Sequence, residues 1–200
     1  MVLGAARAAP GFMSDEEGLA LNAAALHAPQ GPWVEIGTYC GKSACYLGDA
    51  ARRRGTVLFS IDHHRGSEEN QPGQQYHDPS LVDASGRVDT LPGLRRTLAA
   101  AGLEETVIPV VGSSRTVAHH WGMPIGLLFI DGGHSAAAAH ADYEGWLPHL
   151  ARGGLLLIHD VFPDPADGGR PPFEIFTRAL TEGLATELAA HGSLRVLERL

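Results

Sequence analysis

Trp33-Val34-Glu35-Ile36-Gly37-Thr38-Tyr39-Cys40-Gly41-Lys42-Ser43 is the stretch from which the rest of the 200-residue chain becomes readable. Trp33 to Ile36 is a short apolar run. The glycines at 37 and 41 allow a sharp bend, and Lys42 to Arg53 has the composition of a helix. This is a strand, turn, helix unit. Upstream, Ser14 followed by Glu17 has the spacing of a capping box and opens an amphipathic run to about Ala28, in which Leu19, Ala23 and Leu26 share one face. Downstream, Thr56 to Ile61 is almost continuously apolar, as expected of a parallel strand covered by helices on both sides.

The alternation then repeats. Helices are expected at Leu94–Ala101, Arg115–Trp121, Ala136–Leu147 and Phe173–Thr181, and strands at Val107–Val111, Ile125–Ile130 and Leu155–Ile158. Tyr143, Trp146 and Leu147 fall on an apolar helical face suited to the core. Leu184 to Ala190 has helical composition but partial alternation at period two. With His191-Gly192-Ser193 as a reversal into Leu194–Leu200, it reads as a closing antiparallel hairpin. The expected fold is α/β, a doubly wound, mostly parallel, seven-stranded sheet of Rossmann-like type in one domain spanning 1–200. Two stretches lack periodicity, His63–Asp89 and Phe162–Pro172, and irregular segments of this kind suit a lid over a site.

Composition narrows the partners. The chain carries 15 basic and 23 acidic side chains for a formal charge of -8, which disfavours a phosphate-neutralising surface and hence nucleic acid. Cys40 and Cys45 are awkwardly placed for a disulfide, and Met1 to Pro10 has no apolar core fit for a signal or membrane span. Both features lead to an expected cytoplasmic setting without membrane association. Self-association is compatible with this reading.

In such a sheet, ligands bind beyond the carboxyl ends of the strands. The residues expected there are Glu35, Gly37, Tyr39, Gly41 and Ser43 after the first strand, and Asp62, His63 and His64 after the second. Gly112, Ser113, Ser114 and Arg115 follow the third, Asp131 and His134 the fourth, and His159 and Asp160 the fifth. Four of five strand ends offer a carboxylate or an imidazole, a density that points to a site. Asp62, 25 residues after Gly37, is placed to accept hydrogen bonds from ribose hydroxyls. The glycine spacing is not that of the dinucleotide fingerprint. His119 and His120 precede a strand and belong at the opposite end of the sheet.

Val34 to Ala44 resembles the first motif of the catechol O-methyltransferase group, with acid, glycine, tyrosine, cysteine, glycine and serine in the same order. Val110-Val111-Gly112-Ser113-Ser114 is similar to the segment along the adenine in that group. Phe129 to Ser135 and Gly153 to Asp160 resemble later motifs of related small bacterial methyltransferases. The resemblance implies a class I S-adenosylmethionine-dependent enzyme. In it Glu35, Gly37 and Ser43 meet the amino-acid end of the cofactor, Asp62 the ribose, and Ser113 and Ser114 the adenine surroundings, with Tyr39 and Gly41 in the same cofactor loop. Asp131 would lie beside the transferred methyl. Metal-dependent relatives hold Mg²⁺ with two acids at the later strand ends, which Asp131 and Asp160 match. The usual Asp-Asn pair is broken because Val161 follows Asp160.

His134, three residues after Asp131, stands where the catechol enzymes carry a basic lysine and is the preferred general base. His159 could orient Asp160 or ligate a metal, and His63 and His64 would line the pocket of a small hydroxyl-bearing acceptor. The competing readings are a noncatalytic adenosyl-binding module, an NAD-dependent oxidoreductase on the same architecture, and a metal-assisted hydrolase using the Asp and His cluster.

Overall fold

The protein is described from a computed structural model covering residues 2–133 and 135–200. Among the described residues seven α-helices, α1 (Val2–Ala8), α2 (Asp15–Ala25), α3 (Lys42–Arg54), α4 (Leu91–Ala101), α5 (Ser114–His119), α6 (Ala136–Trp146) and α7 (Arg170–Thr181), surround a seven-stranded sheet. Its strands are β1 (Trp33–Ile36), β2 (Leu58–Asp62), β3 (Val107–Val111), β4 (Ile125–Ile130), β5 (Leu150–Ile158), β6 (Ala185–His191) and β7 (Leu194–Arg199), in spatial order β3-β2-β1-β4-β5-β7-β6. β1 to β5 run parallel, while β7 enters antiparallel beside β5 and pairs with β6 as the terminal hairpin. The order reverses at β1 and β4, which opens the crevice where such sheets take ligands.

Strand alternation divides the core. Trp33, Leu127, Phe129, Leu155 and Leu157 pack with α1 to α4 on one face. Val34, Ile36, Leu128, Ile130, Leu156 and Ile158 pack with α5 to α7 on the other. No helix among the described residues is long and apolar enough to cross a membrane.

Four expectations change. α1 was not apparent in the sequence, and it packs Val2 and Ala6 into the first core face. α2 buries Gly18, Leu21 and Ala25, whereas Leu19 and Ala23 are exposed, because the face is set by α3. β5 starts at Leu150 rather than Leu155: Ile125 pairs with Leu150, and an irregularity absorbs Arg152-Gly153-Gly154 before Leu127 pairs with Leu155. α7 starts at Arg170 rather than Phe173, since Pro171 and Pro172 occupy its first turn, where no backbone N–H is needed.

The capping box is present and does more than start a helix. Glu17 bonds Ser14, and its Oε1 accepts from the Ser193 backbone at 2.7 Å and the Ser193 hydroxyl at 2.8 Å. One side chain thus ties α2 to the turn between β6 and β7.

Candidate functional site

A cavity of about 1060 Å³ opens at the carboxyl ends of the strands. Gly37, Tyr39, Ser43, Asp62, His63, Ser113, Ser114, Asp131, His159 and Asp160 all line it, so the structure brings together most of the residues expected at the site. Parts of both irregular segments close over it, from Gly66 to Gln71, from Gln74 to Tyr76 and from Asp167 to Gly169. Phe12, Tyr39 and Tyr76 form a row of tilted rings at 5.7 and 4.9 Å. Among the described residues, the non-glycine positions with positive φ are Tyr39, His64 and Asp160, each just past a strand end. Such conformations recur where side chains are held for a task.

The floor is built by Gly37 and Asp62. Gly37 has φ +85°, and an added Cβ would stand 2.0 Å from the carbonyl oxygen of Asp131, so only glycine lets β1 turn this close to the end of β4. Asp62 at the end of β2 accepts from the backbone N–H of Thr38 at 3.1 Å, Tyr39 at 2.9 Å and His64 at 2.7 Å. It anchors the bend while keeping acceptor capacity toward the cavity. α3 then begins at Gly41 without a side-chain cap, so its first-turn N–H groups have no side-chain acceptor there. A glycine bend, an acid at the next strand end and open helix donors together fit an adenosyl amino-acid cofactor.

Three expected residues lie off the cavity. Glu35 is fully buried: strand alternation turns it toward α3, where it accepts from the hydroxyls of Ser43 and Ser60 at 2.5 Å each. Burial pushes its carboxyl up to about 7, opposed by those two bonds and reinforced by the charge of Asp131. It therefore supports Ser43 from beneath the cavity lining. Gly41 is the left-handed N-cap of α3, packed against Leu94. His64 is buried, with Nδ1 2.7 Å from the Thr90 hydroxyl, and burial holds its imidazole below the usual pKa. It braces the loop instead of lining an acceptor pocket. His134 lies outside the described residues. His119 and His120 are exposed and off the cavity, as their place before β4 predicts.

His159 is the centre of the acidic cluster. It is 5% exposed, with Nδ1 3.1 Å from Asp131 Oδ1 and 3.3 Å from Asp160 Oδ1, and Nε2 3.5 Å from Glu17 Oε2. Burial alone would push its pKa down. The charge of Asp131, the hydrogen bond to it and the close carboxylates of Asp160 and Glu17 outweigh this and raise it to about 12, so the ring is an imidazolium at neutral pH. Glu17 is correspondingly held well below the usual carboxylate range, chiefly by His159.

The donor atoms of Asp131, His159 and Asp160 lie within 4.8 Å of one another, close enough in principle for a cation. Mg²⁺ requires oxygen ligands in a near-octahedral shell. Here the residue preceding Asp160 supplies nitrogen, and Val161, on its other side, is buried in the core. The set does not fit Mg²⁺, because a protonated His159 lying between Asp131 and Asp160 offers no lone pair and repels a cation.

Sequence reasoning missed Asp142, a buried carboxylate of α6 on the cavity wall. Its signal was an acid on the apolar face beside Tyr143 and Trp146. It also missed the reach of Glu17, for which local spacing holds no signal.

The described geometry is matched by known proteins. A methyltransferase from Podospora anserina with bound S-adenosylhomocysteine superimposes with a TM-score of 0.71 at 13% identity, over 100% of this chain and 86% of that one. The O-methyltransferase NovP gives 0.70 at 14% identity, over 93% and 80%. The O-methyltransferase TomG from Streptomyces achromogenes, in complex with S-adenosylmethionine, gives 0.62 at 17%, over 94% and 81%. At these identities the likeness is one of fold. A family described as "Methyltransferase domain" matches residues 34–161, well over half of the chain and the whole span from the glycine bend to the acidic cluster. The chain belongs to this methyltransferase-domain family.

Proposed function

We propose that this protein is an S-adenosylmethionine-dependent O-methyltransferase acting on the hydroxyl of a small molecule, with the whole chain working as one domain. The observation that carries the reading is the row of Gly37, Asp62, Ser113, Ser114 and Asp131 along one cavity at the reversal of strand order. Bound there, the cofactor would supply an electrophilic methyl group. Ser43 and the first turn of α3 would hold its amino-acid end, Asp62 its ribose, and Ser113 with Ser114 its base.

The remaining chemistry is positioning and proton removal. Asp131, held by His159, stands where an acceptor hydroxyl would be oriented. His134, assigned from sequence three residues beyond it, takes the proton. Tyr76, Phe162 and the segment from Gly66 to Gln71 enclose the acceptor and keep water out.

The test is transfer of labelled methyl from S-adenosylmethionine to a panel of phenols, sugars and other alcohols. Transfer to oxygen supports the reading, whereas no transfer to any acceptor despite tight cofactor binding would favour a noncatalytic binding module. Because an imidazolium already occupies the place between Asp131 and Asp160 that a cation would take, a chelator should leave turnover within about twofold, and added Mg²⁺ should not raise it. Activity lost on chelation and restored by Mg²⁺ would overturn the metal-independent part. Asp62→Ala should weaken S-adenosylhomocysteine binding by roughly 10- to 100-fold, the worth of a charge-assisted hydrogen bond plus a loosened bend. Calorimetry reads this directly, and an unchanged Kd would remove Asp62 from the ribose.

A further inference from the structure

Asp142 projects from α6 into the wall of the cavity and is 7% exposed. Its Oδ2 lies against Gly132, where an added Cβ would come within 2.8 Å of it. Burial pushes its carboxyl up to about 6, and a bond from the Ser114 hydroxyl pulls the other way. That hydroxyl is itself fixed, because it accepts from the Trp146 indole N–H at 2.8 Å. A carboxylate can accept about four hydrogen bonds. Among the described residues, the Ser114 hydroxyl and, at longer range, the charge of His63 are the side-chain groups that oppose that shift. A buried carboxylate with so few donors is costly unless something else in the site donates to it.

The sheet order indicates what that donor is. β3, β2 and β1 are neighbours, and their ends carry in turn Ser113 and Ser114, Asp62, and the glycine bend. A nucleoside with its ribose on Asp62 and its chain on the bend must direct its base toward Ser113 and Ser114, and Asp142 adjoins Ser114. Adenine carries an exocyclic amine, which donates and does not accept, whereas hypoxanthine or guanine has a carbonyl at the same position that a carboxylate repels.

We propose that Asp142 accepts a hydrogen bond from the exocyclic amine of adenine, making the site selective for adenosyl ligands over other purine nucleosides. The assignment rests on the cofactor reading given above. It makes Asp142 a binding residue that reads the base, while Ser114 and Trp146 position its carboxylate.

Calorimetry would compare S-adenosylhomocysteine with the analogue whose purine carries hydrogen in place of the amine. The wild-type protein should bind the adenine compound about 30-fold more tightly, within the range for a hydrogen bond to a charged group. In Asp142→Ala the preference should fall below about threefold, with the analogue's own affinity unchanged. Asp142→Asn, which keeps shape and a neutral acceptor, should lie between and serves if the alanine variant does not fold. Equal binding of the two compounds by the wild-type protein overturns the proposal. So does an equal loss for both compounds in the variants, which would make Asp142 a prop for the Gly132-Gly133 turn. No binding of S-adenosylhomocysteine by the wild-type protein would instead remove the underlying cofactor reading, and this assignment with it.

Discussion

Gly37→Ala should be the most damaging small substitution in the chain, lowering stability by about 4 kcal/mol or more and weakening S-adenosylhomocysteine binding at least about 100-fold. The added Cβ would lie 2.0 Å from the Asp131 carbonyl oxygen and 2.6 Å from its carbon, and neither atom can retreat easily. The Gly37 N–H donates to the Ile61 carbonyl at 3.1 Å, and the Asp131 N–H to the Ile36 carbonyl at 2.9 Å, so β2, β1 and β4 pin both sides of the collision. The φ of +85° adds strain of roughly 1 kcal/mol for any residue with a Cβ. Relief would have to come from moving the end of β4 or the bend, and both line the cavity.

Gly55→Ala is the control. Gly55 has φ +67° but open space around it, so only the conformational cost of about 1 kcal/mol should appear. Urea unfolding and calorimetry on the two variants separate crowding from strain. Equal, small effects at both positions would show that the close approach of β1 to β4 is not needed.

His159→Leu should cost about 3 to 5 kcal/mol at neutral pH, the usual penalty for removing one partner from a buried ionic cluster. The leucine fills similar space, but Asp131, Asp160 and Glu17 are left facing one another without the imidazolium. The pH dependence gives the sharper signature. Because the pKa of His159 is raised from 6.5 to about 12, its contribution is complete below about pH 6.5 and declines as pH rises through that window. Glu17 is depressed from 4.5, so its contribution is present above that value and is lost as pH falls further. The gap between wild type and His159→Leu should therefore be widest between about pH 4.5 and 6.5 and narrow on the alkaline side.

Urea midpoints measured from pH 5 to 9 decide the matter. A gap that widens with rising pH would mean that His159 is neutral in the folded protein. Glu17→Gln in the His159→Leu background should recover part of the loss, since it removes one of the stranded charges. The same substitution alone should destabilise, because the imidazolium then loses a carboxylate.

The residues that could be read before the structure share a property: their signal is local. Trp33–Ile36, Val107–Val111 and Ile125–Ile130 are short, mainly apolar runs, with Glu35 the one charged residue among them, and each strand begins and ends where its run does. The first turn of α7 was hidden by Pro171 and Pro172, which usually punctuate a helix but suit its opening. The start of β5 was hidden by Gly153-Gly154, which look like a loop until β4 supplies a pairing partner. The terminal hairpin was legible from the His191-Gly192-Ser193 reversal, and the sheet supplies what its first strand lacks in propensity. Ala185–His191 has residues that favour a helix, and pairing through β7 to the sheet overrides them.

The same division runs through the site. Sequence alone determined that a strand, a glycine bend and a helix would face an acid 25 residues on, because order along the chain and strand parity dictate which side chains reach the carboxyl ends. Only the tertiary structure decided that Glu35 and His64 turn inward, that Asp142 comes to the cavity wall, and that Glu17 meets Ser193 across 176 positions to close on His159. Burial, and the charge balance that follows from it, depend on what other segments pack above a residue. Those segments come from distant parts of the chain, so no local pattern records them.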